Sequence, residues 1–217
     1  MENTKIMQNV IDAMKWRYST NKFDTQKKLS DEQLGGILES IILTPSSFGL
    51  QPWKFIVVTN PEIRAKLQEA GYNQNKITES SHLIVFAVEK NINDNLVDTY
   101  IESVSQTRGV SVENLKGYSD MIKGAILSKT DVQRVEWATR QVYIALGVLV
   151  ATASIEGIDV APMEGFDSSK FDQILGLEKL GLESKIVAAV GFRATDDTAS
   201  LFKKVRFTKK DVVIEIK

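Results

Sequence analysis

Apolar residues recur at helical spacing from the start of the chain, with Ile6, Val10, Ile11 and Met14 on one face, and predict an amphipathic helix that ends near Trp16. Residues 17–24 read as a loop or short strand. Ser30, with Gln33 three positions on, makes a capping-box pattern ahead of Leu34, Ile37, Leu38, Ile41 and Ile42, and this second helix stops before Pro45. Residues 54–59 (KFIVVT) and 82–89 (HLIVFAVE) are short, β-branched-rich apolar runs, the pattern of buried strands. Residues 184–192 (SKIVAAVGF) repeat it, and the alternation of Val212, Ile214 and Ile216 within 211–217 predicts a terminal strand. Residues 93–128 between them are polar and helical in pattern.

The longest predicted helix runs from Thr130 to Glu156, with no proline, one internal glycine, Asp131 in its first turn and Gly157 after its end. At 1.5 Å per residue it is about 40 Å long, against a radius of gyration of roughly 17 Å for a compact chain of this size. It therefore spans the molecule. From Val142 to Val150 it is apolar on nearly every side and requires cover all round, part of it expected from a second copy of the chain.

Composition narrows the function. The 217 residues are 43% hydrophobic and 25% charged, enough for one sizeable domain, expected over 1–217. Lys and Arg number 27 against 28 Asp and Glu, so there is no bulk positive field for nucleic acid or anionic lipid, and any anion site is local. The absence of cysteine removes thiolate and disulfide chemistry, and a single histidine, His82, leaves almost no material for triads or metal sites; none is expected. The amino terminus lacks the pattern of a signal peptide, and the apolar stretch 142–153 is short for a membrane span, so a cytoplasmic protein is expected. No G-x-G-x-x-G follows a strand and no G-x-x-x-x-G-K-[ST] occurs, so Rossmann and P-loop readings fail.

Three clusters lie between elements: Arg17-Tyr18-Ser19, Pro45-Ser46-Ser47 leading to Gln51-Pro52-Trp53, and Lys203-Lys204-Val205-Arg206. Singly, each has an ordinary reading as a solvated arginine, a turn and a basic surface run. Brought together, the first and third would suit a phosphate monoester, which favours guanidinium forks with a hydroxyl donor.

The order of several motifs resembles the FMN-dependent nitroreductase family over essentially the whole chain. The segments are 17–24 (RYSTNKFD), Thr44-Pro45-Ser46-Ser47 to Gln51-Pro52-Trp53, Asn73 with Lys76 ahead of Ser81-His82, Glu136-Trp137 with Gln141-Val142-Tyr143, 161–166 (APMEGF), and Lys204 with Arg206. The resemblance implies an α+β sandwich, a mixed sheet flanked by helices, with a long central helix and a C-terminal strand exchanged in a homodimer that shares two FMN sites. It implies that Arg17, Tyr18, Ser19, Lys204 and Arg206 hold the FMN phosphate and ribityl chain, that Pro45, Ser46 and Ser47 lie against the isoalloxazine from the other subunit, and that Asn73 bonds the pyrimidine edge. Lys76 faces nicotinamide or substrate, Pro162 and Met163 lead to the flavin, and the backbone of Glu164 and Gly165 meets flavin N5. Tyr118 aligns with an aromatic residue that covers the substrate pocket in some relatives.

Two departures stand out. Asn21 replaces a Lys or Arg that in many relatives lies near flavin N1 and O2, with Lys22 expected to point elsewhere. Gly49 replaces an Asn that contacts flavin in some. The implied activity is ping-pong reduction of a small acceptor, such as a nitroaromatic or quinone, by NAD(P)H as co-substrate. A flavin reductase or dihydropteridine-type reductase is the alternative enzyme, and a flavin-binding sensor or reservoir the alternative outside catalysis.

Overall fold

The computed structural model describes residues 2–217, and side-chain environments from residue 6 onward. Strands β1 (Trp53–Val58), β2 (His82–Glu89), β3 (Asp159–Met163) and β4 (Leu182–Gly191) form one sheet in the order β1-β2-β4-β3. Alternation along each strand sends side chains to opposite faces. Ile84, Phe86 and Val88 of β2, with Ile186, Ala188 and Val190 of β4, pack against helices α2 (Asp31–Ile42), α5 (Asp94–Arg108), α6 (Lys116–Leu127) and α7 (Asp131–Ile155). Leu83 and Val85, with Val187 and Ala189, pack against α3 (Pro61–Ala70), α4 (Lys76–Glu79) and α8 (Ser168–Leu175).

The sandwich expected from the sequence is present, but the sheet is not mixed. Its pairings β1–β2, β2–β4 and β3–β4 are all antiparallel. An uninterrupted apolar run reports that both faces of a strand are covered, and carries no information about strand direction. β3 escaped the pattern because it is a five-residue edge strand interrupted by Pro162, which lacks the N–H that a central strand needs.

Helix α7 has the predicted length, 25 residues, and is closed at its start by a capping box in which Gln133 N–H donates to Thr130 Oγ1 at 3.3 Å and Thr130 N–H to Gln133 Oε1 at 3.0 Å. Gly157 follows its end at φ 69°. By length and hydropathy this helix is sufficient to cross a bilayer, contrary to what the shorter stretch 142–153 implied. Its packing is that of a core helix: it lies against β1, β2, β3, α2 and α1 (Glu2–Trp16), and Trp137, Val142, Ala145 and Leu149 are buried. Tyr143, Ile144 and Ile155 remain exposed on it.

The terminal strand expected over 211–217 is absent within the single chain. Lys209–Val212 forms one helical turn, α9, closed by the Asp211 carboxylate, which accepts from the Thr208 N–H and hydroxyl, and residues 213–217 beyond it join no strand. An alternating strand needs a neighbour to supply its ladder, and a lone chain offers none there. Phe202, Val205, Phe207, Ile214 and Ile216 are each more than three-quarters exposed.

Candidate functional site

The end of α1 and the returning C-terminal segment enclose a cavity of about 350 Å³. Its lining brings together Arg17, Tyr18, Ser19, Lys204 and Arg206, the first and third sequence clusters, across nearly the whole chain length. Lys15 and Lys203 join them, and among the described residues no carboxylate lines the cavity. Burial, then Arg206, lowers the Arg17 guanidinium below its ordinary pKa, and burial with Arg17 and Arg206 lowers Lys204. The lysine ammonium donates to the Arg17 carbonyl, which fixes the C-terminal segment to the loop after α1. Arg17 is half-buried and the other cations are exposed, and together with the Ser19 hydroxyl they offer donors of the kind a phosphate-like dianion accepts.

Beneath this cradle lies a second group, not foreseen from the sequence. Arg193 engages buried Asp159 through Nε and Nη2 at 2.6–3.0 Å, and Thr20 donates to the same carboxylate at 3.2 Å. The guanidinium lies 4.1 Å from the Trp16 ring centroid and 4.5 Å from that of Tyr18. Asp197 accepts from the Tyr18 hydroxyl at 2.9 Å and from the N–H groups of Asn21, Lys22 and Ala199. Burial, then the Asp197 bond, pushes the Tyr18 phenol up to about 12. Tyr18 therefore lines the cavity with its hydroxyl already committed, while the Asn21 side chain is exposed and Lys22 pairs with Asp196, as its adjacent position suggested.

The remaining residues form two loops. At the end of β3, Phe166 N–H donates to the Glu164 carbonyl at 2.9 Å and closes a tight turn. Among the described residues, no acceptor takes up the N–H of Glu164 or Gly165. A Cβ at Gly165 would meet only Gln74 Nε2, at 4.0 Å, so nothing within the chain requires glycine there; the space beside it is open. Tyr143 of α7 donates to the Glu164 carboxylate, and Gln74 donates to the Gly165 carbonyl at 2.7 Å. Gln74 belongs to the turn in which Tyr72 and Asn73 both adopt φ 56°, leading to Lys76 at the start of α4. Asn73 is exposed, and Lys76 is half-buried with its ammonium pKa lowered by burial.

The Pro45–Gln51 loop does not line the cradle. Ser47 N–H donates to Gln141 Oε1 of α7 at 2.8 Å, Ser46 Oγ accepts from Gln51 N–H at 3.0 Å, and Phe48 is held at φ 59°. The Tyr118 hydroxyl donates to the Phe48 carbonyl at 3.1 Å, so this residue braces the loop from α6. Gly49, at φ 77°, is a steric necessity: a Cβ would come within 2.6 Å of the Tyr100 hydroxyl. Tyr100 of α5 thus occupies the space beside Gly49 that a side chain would take.

A wider cavity, about 690 Å³, lies elsewhere, among Lys90, Asp131, Arg134, Glu136, Glu183 and Lys185. Its mixed charges are largely paired among themselves, and none of the sequence clusters reaches it apart from Glu136. His82 is half-buried, with Nδ1 3.0 Å from Ser81 Oγ, in keeping with a structural role. Among the described residues, no group of three potential metal ligands converges.

Comparison with known proteins identifies the family of the chain. The model described as the Nitroreductase family matches residues 14–192. A protein from Staphylococcus saprophyticus, provisionally named an NAD(P)H nitroreductase, is 32% identical over 218 residues, covering 97% of this chain and 98% of its own. Two solved structures share the fold: a Bacillus subtilis protein provisionally named a nitroreductase (TM-score 0.84, 20% identity, 97% of this chain and 100% of that one) and an Exiguobacterium sibiricum protein provisionally named a nitroreductase, solved in complex with FMN (TM-score 0.80, 24% identity, 95% and 97%). The chain belongs to the nitroreductase family, a family of oxidoreductases.

Proposed function

We infer that the chain is an FMN-dependent NAD(P)H oxidoreductase that reduces small acceptors such as nitroaromatics or quinones by a ping-pong route. The observation that carries this is the cradle of Arg17, Lys204 and Arg206, with Lys15 and Lys203, in a cavity with no carboxylate among the described residues. Such an array favours the entry of an anion, and the FMN phosphate is a dianion with acceptor oxygens for guanidinium and ammonium donors. When bound, FMN would supply the redox centre between nicotinamide and acceptor. Arg17, Ser19, Lys204 and Arg206 hold its phosphate end, with Tyr18 as a wall. Asn21 offers an amide where a cation is absent. Asn73 and Lys76 bracket the far end, and Pro162 and Met163 carry the chain to Glu164 and Gly165, whose two free N–H groups are available as donors to the ring.

The Pro45-Ser46-Ser47 loop, with Gly49, completes a site on a second copy of the chain. The exposed apolar side chains of the tail and of α7 support a homodimer, with the tail adding a strand to the partner's sheet. On this reading 1–217 is one FMN-binding domain that acts in the cytoplasm, without nucleic acid or membrane.

The test is an anaerobic titration of purified protein with NADPH and with NADH, following the flavin absorbance and identifying the released cofactor after denaturation. Stoichiometric bleaching of bound FMN is expected. A colourless protein that takes up no added FMN overturns the reading. Turnover of added free flavin faster than quinone would move it to a flavin reductase.

A further inference from the structure

We propose that Gln74 and Tyr143 are positioning residues that clamp the Glu164–Gly165 turn from two sides and so aim its free N–H groups; this rests on the reading above. The turn leaves an edge strand and is exposed, which by itself makes a poor platform for directed donors. Three groups constrain it. The Gln74 amide donates to the Gly165 carbonyl at 2.7 Å and also to the Gly71 carbonyl at 3.0 Å, which ties the turn to the segment after α3. The Tyr143 hydroxyl donates to the Glu164 carboxylate from the core helix α7, and burial together with this carboxylate raises the phenol pKa, so the proton stays on tyrosine at neutral pH. Asp167 N–H, two residues on, donates to the Ala70 carbonyl at 2.9 Å.

The carbonyl that Gln74 holds shares its peptide plane with the Phe166 N–H, which donates to the Glu164 carbonyl at 2.9 Å, and that carbonyl shares the preceding plane with the Gly165 N–H, so the two planes are held together. Fixing the Gly165 carbonyl limits rotation about that residue, and fixing the Glu164 side chain limits the plane before it. Misplacement of a reacting group by about 1 Å can cost on the order of a hundredfold in rate, so a clamp of this kind acts on the chemical step rather than on cofactor affinity, which the cradle governs.

The experiment uses the flavin-loaded protein. Gln74→Ala, Gln74→Glu and Tyr143→Phe are compared with wild type by anaerobic stopped-flow bleaching with NADPH, FMN affinity and melting temperature. Gln74→Ala and Tyr143→Phe are expected to slow bleaching roughly tenfold each, with FMN affinity and melting temperature held. Gln74→Glu is expected to be slower than Gln74→Ala, because a carboxylate cannot donate to the Gly165 carbonyl and repels it. Wild-type bleaching rates in all three variants overturn the clamp and leave the oxidoreductase reading intact. Loss of FMN or a lower melting temperature, with an unchanged bleaching rate per bound flavin, also overturns it, since that is a merely structural role. A wild-type protein that binds FMN without bleaching overturns both.

Discussion

Two arginines close in space live under opposite rules. Arg193 is fully matched: a buried carboxylate engages it through two nitrogens and aromatic rings flank it. Arg17 shares its cavity with Arg206 and Lys204, and burial, then the charge of Arg206, lowers its pKa. The first arrangement is complete within the chain and holds the loop after α1 in place. The second is incomplete and is finished by whatever anion arrives. The difference separates residues that build the site from residues that use it, and neither burial nor residue type alone would have made that distinction.

The contrast is most severely tested at the matched pair. Asp159→Ala leaves Arg193 without its carboxylate, and removal of one partner of a buried pair costs about 3 kcal/mol, a melting temperature lower by roughly 10 °C for a chain of this size. A calorimetric shift under about 2 °C would put Arg193 in the same class as Arg17. A smaller effect on stability, but a clear one on binding, is expected at Arg17→Ala. The ligand-free melting temperature stays within about 2 °C, while FMN affinity measured by fluorescence quenching falls on the order of fiftyfold, the equivalent of one good charged hydrogen-bond pair.

The smallest effect is in the pH dependence. Lys204 has a folded pKa below its ordinary 10.5, so in the window beneath 10.5 the unfolded chain binds more protons than the folded one, and stability rises with pH there. Denaturant unfolding of the ligand-free protein should show this rise, and Lys204→Ala should flatten it. A rise equally strong in the variant would show that the cradle is not under mutual repulsion.

What the sequence made legible was whatever rests on periodicity or local chemistry. The capping pair Ser30/Gln33, the span of α7 and the apolar runs of β2 and β4 appear as read, while the capping pair Thr130/Gln133 was there to be read and was not. The two basic clusters do meet, as electrostatics suggested. Illegible features depend on partners far along the chain. Asp159 and Asp197 look like ordinary loop or strand-end carboxylates until the fold brings Arg193 to one and Tyr18, Asn21 and Lys22 to the other. The only local hints were that Asp159 opens an apolar stretch and that Asp197 sits in a polar turn, and neither names a partner. The crowding at Gly49 was illegible for the same reason, since the Tyr100 hydroxyl beside it lies on a distant helix.

Gln141 and Tyr143 are two positions apart on α7, and successive residues on a helix are turned by about 100°. The first holds the Pro45–Gln51 loop and the second the Glu164 turn, in different directions from one rigid axis. This stretch of helix therefore acts as a length standard: point changes along its exposed face can be absorbed, but one residue inserted between 141 and 143 would rotate one anchor away while the other stayed. Deletions and insertions in descendants of this chain should accordingly accumulate in the loops and be barred from these three positions.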